Sequence, residues 1–273
     1  MSTISSEPGE TAPAVELSEL TTHYGQTRVL NGVNLSVRNG EIMVIMGASG
    51  SGKSTLLYHL LGLLPPTHGT IRLLGQDVGA LSQTELTKLR CRMGVAFQGG
   101  ALFSSMTVGD NILLPLREHT DLDEATMRIM ARVKMEVVGL AGVEDRMPSQ
   151  LSGGMTKRAA LARAIAMDPQ VLFCDEPSAG LDPIVASAID QLVLDLRAAF
   201  GMTIVVVTHE LESAFKIADR ICVIDRGEVL VVDSVDGVRG CPDQRVQDLL
   251  NRRIGAPDVD PDAYLARLTG DLL

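Results

Sequence analysis

The chain has 273 residues, 45% hydrophobic and 21% charged, with a formal charge of −10. That length allows one large domain or two small ones with ample core, and the acidic balance argues against a broad nucleic-acid surface. With no Trp, 3 Tyr and 5 Phe, the core is expected to consist of Leu, Ile, Val, Met and Ala.

Residues 1–14 are rich in Ser, Pro, Glu, Thr and Ala and read as disordered. Val15-Glu16-Leu17 begins a strand that stays extended to Tyr24, and Gly25-Gln26 signals a turn. Val29-Leu30 and Val33 to Val37 read as two further short strands, separated by a turn at Asn31-Gly32 and closed by one at Asn39-Gly40. Ile42 to Met46 is an apolar run of buried-strand type, followed by a glycine-rich loop and a helix from Thr55 to Leu61. Pro65-Pro66 breaks the chain, Thr70 to Leu73 is a strand, Ser82 to Arg92 is helical, and Gly94 to Phe97 is a strand ending at Gln98. Asp123 to Val138 is helical, with Met127, Met130 and Val137 expected near one core-facing side. Met155 to Met167 is helical again. Then strand Val171 to Cys174, helix Ser187 to Phe200, strand Thr203 to Val207 and helix Glu210 to Ala218 alternate. Ile221 to Ile224 and Glu228 to Val232 form a hairpin about Arg226-Gly227. Fully apolar strands alternating with helices indicate a parallel α/β core, preceded by an antiparallel β section and interrupted by a helical insertion. Asp243 to Arg253 can form a short helix, Gly255 to Pro257 a linker and Asp260 to Leu268 a last helix.

Cys91, Cys174, Cys222 and Cys241 show no C-x-x-C spacing, so neither a zinc site nor a disulfide framework is indicated and a reducing compartment fits. Cys174 and Cys222 read as small core residues. No charged-then-apolar segment opens the chain, and no apolar run approaches the ~20 residues needed to span a bilayer. Any membrane-spanning part is expected on other chains.

The chemistry centres on Gly47-Ala48-Ser49-Gly50-Ser51-Gly52-Lys53-Ser54-Thr55, which fits G-x-x-x-x-G-K-[ST] between a strand and a helix. Glycines allow close wrapping of an anion, and backbone N–H groups and the helix dipole face it. Lys53 is expected at the terminal phosphates and Ser54 on Mg²⁺. Val171 to Cys174 ends in Asp175-Glu176 at the ligand edge of the sheet. Asp175 is placed to hold Mg²⁺, and Glu176 to polarise an attacking water. His209 follows a strand expected beside that of Asp175, which puts its imidazole near the γ-phosphate. Gln98 ends another strand, with its amide available to Mg²⁺ or water. Ser152, Gly153 and Gly154 open a helix. On its own this reads as an N-cap by Ser152. As a second anion site it makes sense if two copies sandwich a nucleotide.

In this order the motifs resemble the nucleotide-binding subunit of an ABC transporter, over Val15 to Val238. The resemblance implies a P-loop NTPase core with a parallel sheet, an N-terminal antiparallel β subdomain and a helical insertion. It places a nucleotide-binding domain at 15–240, a helical subdomain at about 99–167 and a C-terminal extension at 241–273. It also implies that Tyr24 stacks on adenine, that Gly47 to Thr55 is Walker A and that Gln98 lies in the Q-loop. Leu151 to Met155 corresponds to the signature, Val171 to Asp175 to Walker B, Glu176 to the catalytic base, Ser178 to Asp182 to the D-loop and His209 to the switch histidine. The family forms a head-to-tail dimer closing on two ATP molecules.

Met155 stands where most of the family has Gln. With Phe97 to Phe103 and Pro115 to Thr120, it makes the chain similar to the MlaF-like subfamily of MCE-type phospholipid transporters. That implies a MlaE-like permease, a MlaD-like MCE protein and a small MlaB-like STAS protein as partners, at the cytoplasmic face of the inner membrane. Pro115 to Thr120 reads either as a surface loop or as part of a groove for the permease, with Arg117 and Glu118 facing it. Three alternatives compete with this function: a soluble ABC ATPase of DNA repair or translation, an ATPase for an amino-acid or metal importer, and a regulator that binds ATP without hydrolysis. Intact Glu176 and His209 argue against the last.

Overall fold

A computed structural model describes residues 12–251. The chain opens with β1 (Val15–Tyr24) and β2 (Thr27–Val37), then β3 (Ile42–Met46), α1 (Lys53–Leu60), β4 (His68–Leu73) and β5 (Gln76–Asp77). The first three residues described are docked: Ala14 is buried and its carbonyl accepts from Leu74 N–H at 2.8 Å. The disorder expected up to residue 14 therefore does not extend through this segment. The expected turn at Asn31-Gly32 is also absent, because β2 runs straight through it. The β1–β2 register shifts three times: β1 carries an extra residue near Glu19 (φ +50°), and β2 carries one near Gly32 (φ +60°) and another near Val29. The bulge near Gly32 absorbs what the sequence signals as a turn.

Next come α2 (Gln83–Arg90), β6 (Met93–Ala96), α3 (Val108–His119), α4 (Glu124–Val137) and α5 (Gly153–Ala164). The stretch from Pro115 is the last part of α3 and not a surface loop. Thr107 caps this helix, accepting from Asp110 N–H at 3.1 Å. Pro115 costs a helix interior about 3 kcal/mol. Burial of Val108, Ile112, Leu113 and Leu116 returns about 1.5–3 kcal/mol for each side chain, which outweighs it. On α4, Met127, Ala131 and Met135 are buried and Met130 packs beside them. Val137, expected on that side, faces outward with Ile129 and Val133.

The remainder is β7 (Val171–Asp175), α6 (Pro183–Phe200), β8 (Thr203–Thr208), α7 (Leu211–Ile217), β9 (Arg220–Asp225), β10 (Glu228–Asp233), α8 (Val235–Arg239) and α9 (Gln244–Leu250). The β9–β10 hairpin turns at Arg226-Gly227, both at positive φ. A six-stranded sheet has the order β10-β9-β3-β8-β7-β6, all parallel except β10, and an antiparallel sheet has the order β2-β1-β4-β5.

Alternate residues of the parallel strands enter two separate cores. Ile42, Val44 and Met46 of β3, with Leu172, Cys174, Ile204 and Val206, face the α3–α9 side. Met43, Ile45, Val171, Phe173, Val205 and Val207 face α1, α2 and the antiparallel sheet. A sheet covered on both faces requires strands apolar at every position, which is why these runs carry no alternation. Cys174 and Cys222 lie on opposite faces as core residues, and burial pushes both thiols up to about 12. The C-terminal helix belongs to this core as well: Val246 of α9 is fully buried. The linker and last helix read from residue 255 onward lie outside the described residues. No helix among those described is long and apolar enough to cross a membrane.

Candidate functional site

The neighbouring parallel strands β3, β8, β7 and β6 end at one edge of the sheet. There they deliver the glycine loop, His209, Asp175-Glu176 and Gln98. A cavity of about 490 Å³ is lined by Gly47, Ala48, Ser49, Gly50, Lys53 and Ser54 together with Gln98, Asp175, Glu176, Val207, His209 and Leu249. Crevices at the carboxyl ends of parallel strands are where ligands bind in open α/β sheets.

The loop is built for an anion. A side chain at Gly47 would put its Cβ 2.1 Å from the Ile224 carbonyl oxygen, and Gly52 sits at φ +104° with β2 against it, so neither position admits another residue. Helix α1 begins at Gly52 with no side-chain cap, whereas α2 to α6 are capped by Ser82, Thr107, Asp123, Ser152 and Asp182. Its first-turn N–H groups are left for a ligand. Ser51 Oγ is buried with no hydrogen-bond partner. Lys53 Nζ folds into the loop and donates to the carbonyls of Gly47 and Ala48, both at 2.8 Å. Burial holds its ammonium below the usual lysine range, opposed by the charges of Glu176 and Asp175. A bound anion would offset that cost by pairing with the ammonium charge.

The carboxylates differ in surroundings. Burial, then the Glu176 charge, raises the Asp175 carboxyl above its ordinary range, with Lys157 and Lys53 opposing. Glu176 is buried and has φ +49°, a conformation that strains a non-glycine residue. Its Oε1 lies 2.6 Å from His209 Nδ1, and its Oε2 accepts from Thr208 Oγ1 at 2.9 Å. Its N–H donates to the Val207 carbonyl at 2.8 Å, and its own carbonyl accepts from Lys157 Nζ at 2.7 Å. Thr208 and Lys157 were not read from the sequence. Adjacency to His209 could have suggested Thr208. Nothing in spacing indicates which carbonyl Lys157 reaches.

The remaining site residues stand elsewhere. Ser51 and Thr55 are buried beneath the loop. Tyr24 is 50% exposed at the tip of the β1–β2 hairpin, outside the cavity lining. Ser152 caps α5 through Met155 N–H at 3.3 Å, and Asp182 caps α6 through the Ile184 and Val185 N–H groups, both at 3.1 Å. Gly153 and Gly154 lie against Leu181 and Val185 of the same chain, and Met155 packs on the core. None of these five lines this chain's own cavity.

A second cavity, about 380 Å³, lies between β6, the end of α3 and α5, and Pro115 and His119 are among its lining residues. Arg117, expected to face it, instead pairs with Asp110 at 3.1 Å and Glu124 at 2.6 Å. Pro115 and His119, four residues apart, share a side of α3, and neither Arg117 nor Glu118 is among the lining residues.

Residues 30–179 match the family model described as ABC transporter. The chain is 40% identical over 240 residues to the intermembrane phospholipid transport system ATP-binding protein MlaF of Escherichia coli K12, covering 88% of this chain and 89% of that protein. It is 42% identical over 243 residues to MlaF of Haemophilus influenzae, covering 89% and 92%. It is 41% identical over 243 residues to the "Probable ribonucleotide transport ATP-binding protein mkl" of Mycobacterium leprae, covering 89% and 70%. An ATP-binding cassette solved as a dimer in a post-hydrolysis state with ADP and Pi superposes with a TM-score of 0.75 at 34% identity, covering 81% of this chain and 98% of that one. The cbiO1 subunit of Clostridium perfringens, part of an ABC transporter complex, gives a TM-score of 0.78 at 28% identity, covering 95% and 100%. A matching family model, similarity along most of the chain and a superposable fold agree: the chain belongs to the ABC transporter family, as one of its ATP-hydrolysing subunits.

Proposed function

We propose that this chain couples ATP binding and hydrolysis to phospholipid movement between the inner and outer membranes. The observation that carries the catalytic part is the convergence of the uncapped α1 N-terminus, Lys53, Asp175, Glu176 and His209 on one cavity. The first-turn amides and Lys53 take the β- and γ-phosphates of ATP, and Tyr24 takes the adenine face. Glu176 accepts the proton of the attacking water through a lone pair that His209 and Thr208 leave unused. His209 then contacts the γ-phosphate. Lys53 and the loop amides hold the charge that spreads over the phosphoryl oxygens.

The residues present suit Mg²⁺. Ser54, Asp175 and Gln98 would hold it, and when bound it neutralises phosphate charge. Mg²⁺ is usually held by one or two carboxylates plus substrate phosphates.

Ser152, Gly153, Gly154 and Asp182 lie outside their own chain's cavity, so they serve ATP through a second copy. In a head-to-tail homodimer the signature of one subunit covers the glycine loop of the other. The nucleotide-binding unit is 15–240, with its helical subdomain at about 99–167 and an extension at 241–273. A MlaE-like permease docks in the groove at Pro115 and His119, and MlaD-like and MlaB-like proteins complete the assembly at the cytoplasmic face of the inner membrane. Similarity to MlaF over nearly the whole of both chains supports the phospholipid cargo.

The mycobacterial relatives are named for ribonucleotide transport, which is the second reading. Affinity purification from detergent-solubilised membranes, with mass spectrometry of co-purified proteins and lipids, separates the two. A MlaE-like permease, an MCE protein and bound phospholipid are expected. A permease with a soluble cargo-binding protein and no lipid would overturn the cargo and leave the ATPase.

A further inference from the structure

Helix α5 carries residues for two different ATP sites. Its first turn holds Ser152, Gly153 and Gly154, which face the partner's nucleotide in the head-to-tail dimer proposed above, and the inference rests on that reading. Lys157 sits on the same helix and reaches into its own subunit's site. Its Nζ donates to the carbonyl of Gln98 at 2.5 Å and to the carbonyl of Glu176 at 2.7 Å. Five residues separate Ser152 from Lys157, roughly 7.5 Å along the axis at 1.5 Å per residue. A rigid turn and a half of helix thus links the partner's nucleotide to this subunit's catalytic backbone.

Both acceptors lie in segments that need holding. Glu176 is in the left-handed region, at φ +49°, which persists in a non-glycine residue only where surroundings over-determine it. The loop after Gln98 turns at Gly100, whose Cβ position would be 2.9 Å from Thr156 Cγ2 of α5. Further along α5, Arg163 donates to the carbonyls of Ala101 at 2.7 Å and Gly100 at 3.0 Å. Two cations of one helix therefore hold the Gln98 loop by its carbonyl groups, and one of them also holds Glu176. Burial keeps the Lys157 ammonium below the usual lysine range, opposed by the Glu176 and Asp175 charges. Placing a desolvated lysine on neutral acceptors is a poor stability device, and its value lies in what it joins.

We infer that Lys157 is a positioning residue. It fixes the Gln98 loop and the Glu176 backbone relative to the signature turn, so that seating the partner's ATP on Ser152 to Gly154 sets this subunit's water-activating carboxylate. The two sites then turn over cooperatively.

The test uses the full chain in the membrane complex with which it purifies, as wild type, Lys157→Met, Lys157→Arg and Glu176→Gln, assayed across ATP concentration. Lys157→Met is expected to lower kcat about tenfold or more, leave KM and the affinity for a fluorescent ATP analogue within about twofold, and reduce the Hill coefficient toward 1. Lys157→Arg, which keeps a long donor, restores much of both kcat and cooperativity. Wild-type kcat and Hill coefficient in Lys157→Met, alongside an inactive Glu176→Gln, overturn the inference and leave the ATPase reading standing. Normal turnover by Glu176→Gln brings down that reading itself. If Lys157→Met does not fold, Lys157→Gln decides: a kcat and cooperativity loss at constant KM supports the inference, and a loss confined to KM overturns it.

Discussion

The position of Glu176 after an apolar strand suits the base proposed for it, and its two carboxylate oxygens are each engaged, by His209 and Thr208. Each oxygen keeps a second lone pair for a water, so these two contacts orient the carboxylate without blocking it. Glu176→Gln is expected to keep ATP affinity within about twofold and lose on the order of 10²–10⁴ in kcat, the range for removing a general base; a phosphate-release assay reads it, and near-normal turnover sinks the assignment. Lys53→Ala removes the cation of the loop and should abolish turnover and weaken nucleotide binding in a filter-binding assay.

A different residue, His59, sets a pH dependence. It is fully buried, with Nε2 2.6 Å from Thr22 Oγ1 and Nδ1 2.7 Å from the Leu64 carbonyl. Burial depresses its pKa below the ordinary 6.5, opposed by that carbonyl. The unfolded chain then binds the proton more readily, so this contribution to stability is whole above pH 6.5 and is lost as pH falls through the folded value. Urea titrations of wild type and His59→Gln should diverge above that pH and converge below it; a constant difference would refute the assignment.

Helix α3 is decided by competing local terms. Its proline signals a break, its Thr107 cap and buried face favour continuation, and burial wins. The fully buried Asn111 on its first turns holds the preceding loop: its amide donates to the carbonyls of Phe103, Met106 and Thr107, and its Oδ1 accepts from Phe103 N–H at 2.7 Å. Asn111→Ala leaves those buried groups unpaired and should cost about 1–3 kcal/mol in denaturant unfolding. An unchanged midpoint would mean that the loop finds other partners. The sequence reads as helical here only in outline, because one Asn among ordinary loop residues does not announce four contacts. On α4 the expected stripe holds at Met127 and Met130 and misses at Val137, because the neighbours α3 and α5 select the face, and Ile129, Val133 and Val137 fall outside it.

At the scale of the whole molecule, the proposed head-to-tail dimer makes this chain the source of half of each ATP site. The glycine loop with its carboxylates and the signature turn lie on different parts of one subunit, so closure requires a second copy. Glu176→Gln with ATP and Mg²⁺ should therefore elute as a dimer in size-exclusion chromatography, while the same protein without nucleotide elutes later, as a monomer. Net charge −10 opposes association, so the shift should strengthen with moderate salt. A nucleotide-bound monomer under all these conditions would remove the head-to-tail reading.

Sequence alone determined the glycine loop, the Asp175-Glu176 pair, His209 and the two-sided parallel core. Each is local: a motif of adjacent residues, or a run whose apolarity reports burial directly. Tertiary structure alone decided which face of α4 is covered, that Pro115 and His119 and not Arg117 line the groove, that α9 joins the core, and that Thr208 and Lys157 reach Glu176. Those contacts join residues 19 to 32 positions apart in the chain or lie between helices, and their geometry exists only once the sheet has ordered the strands that carry them.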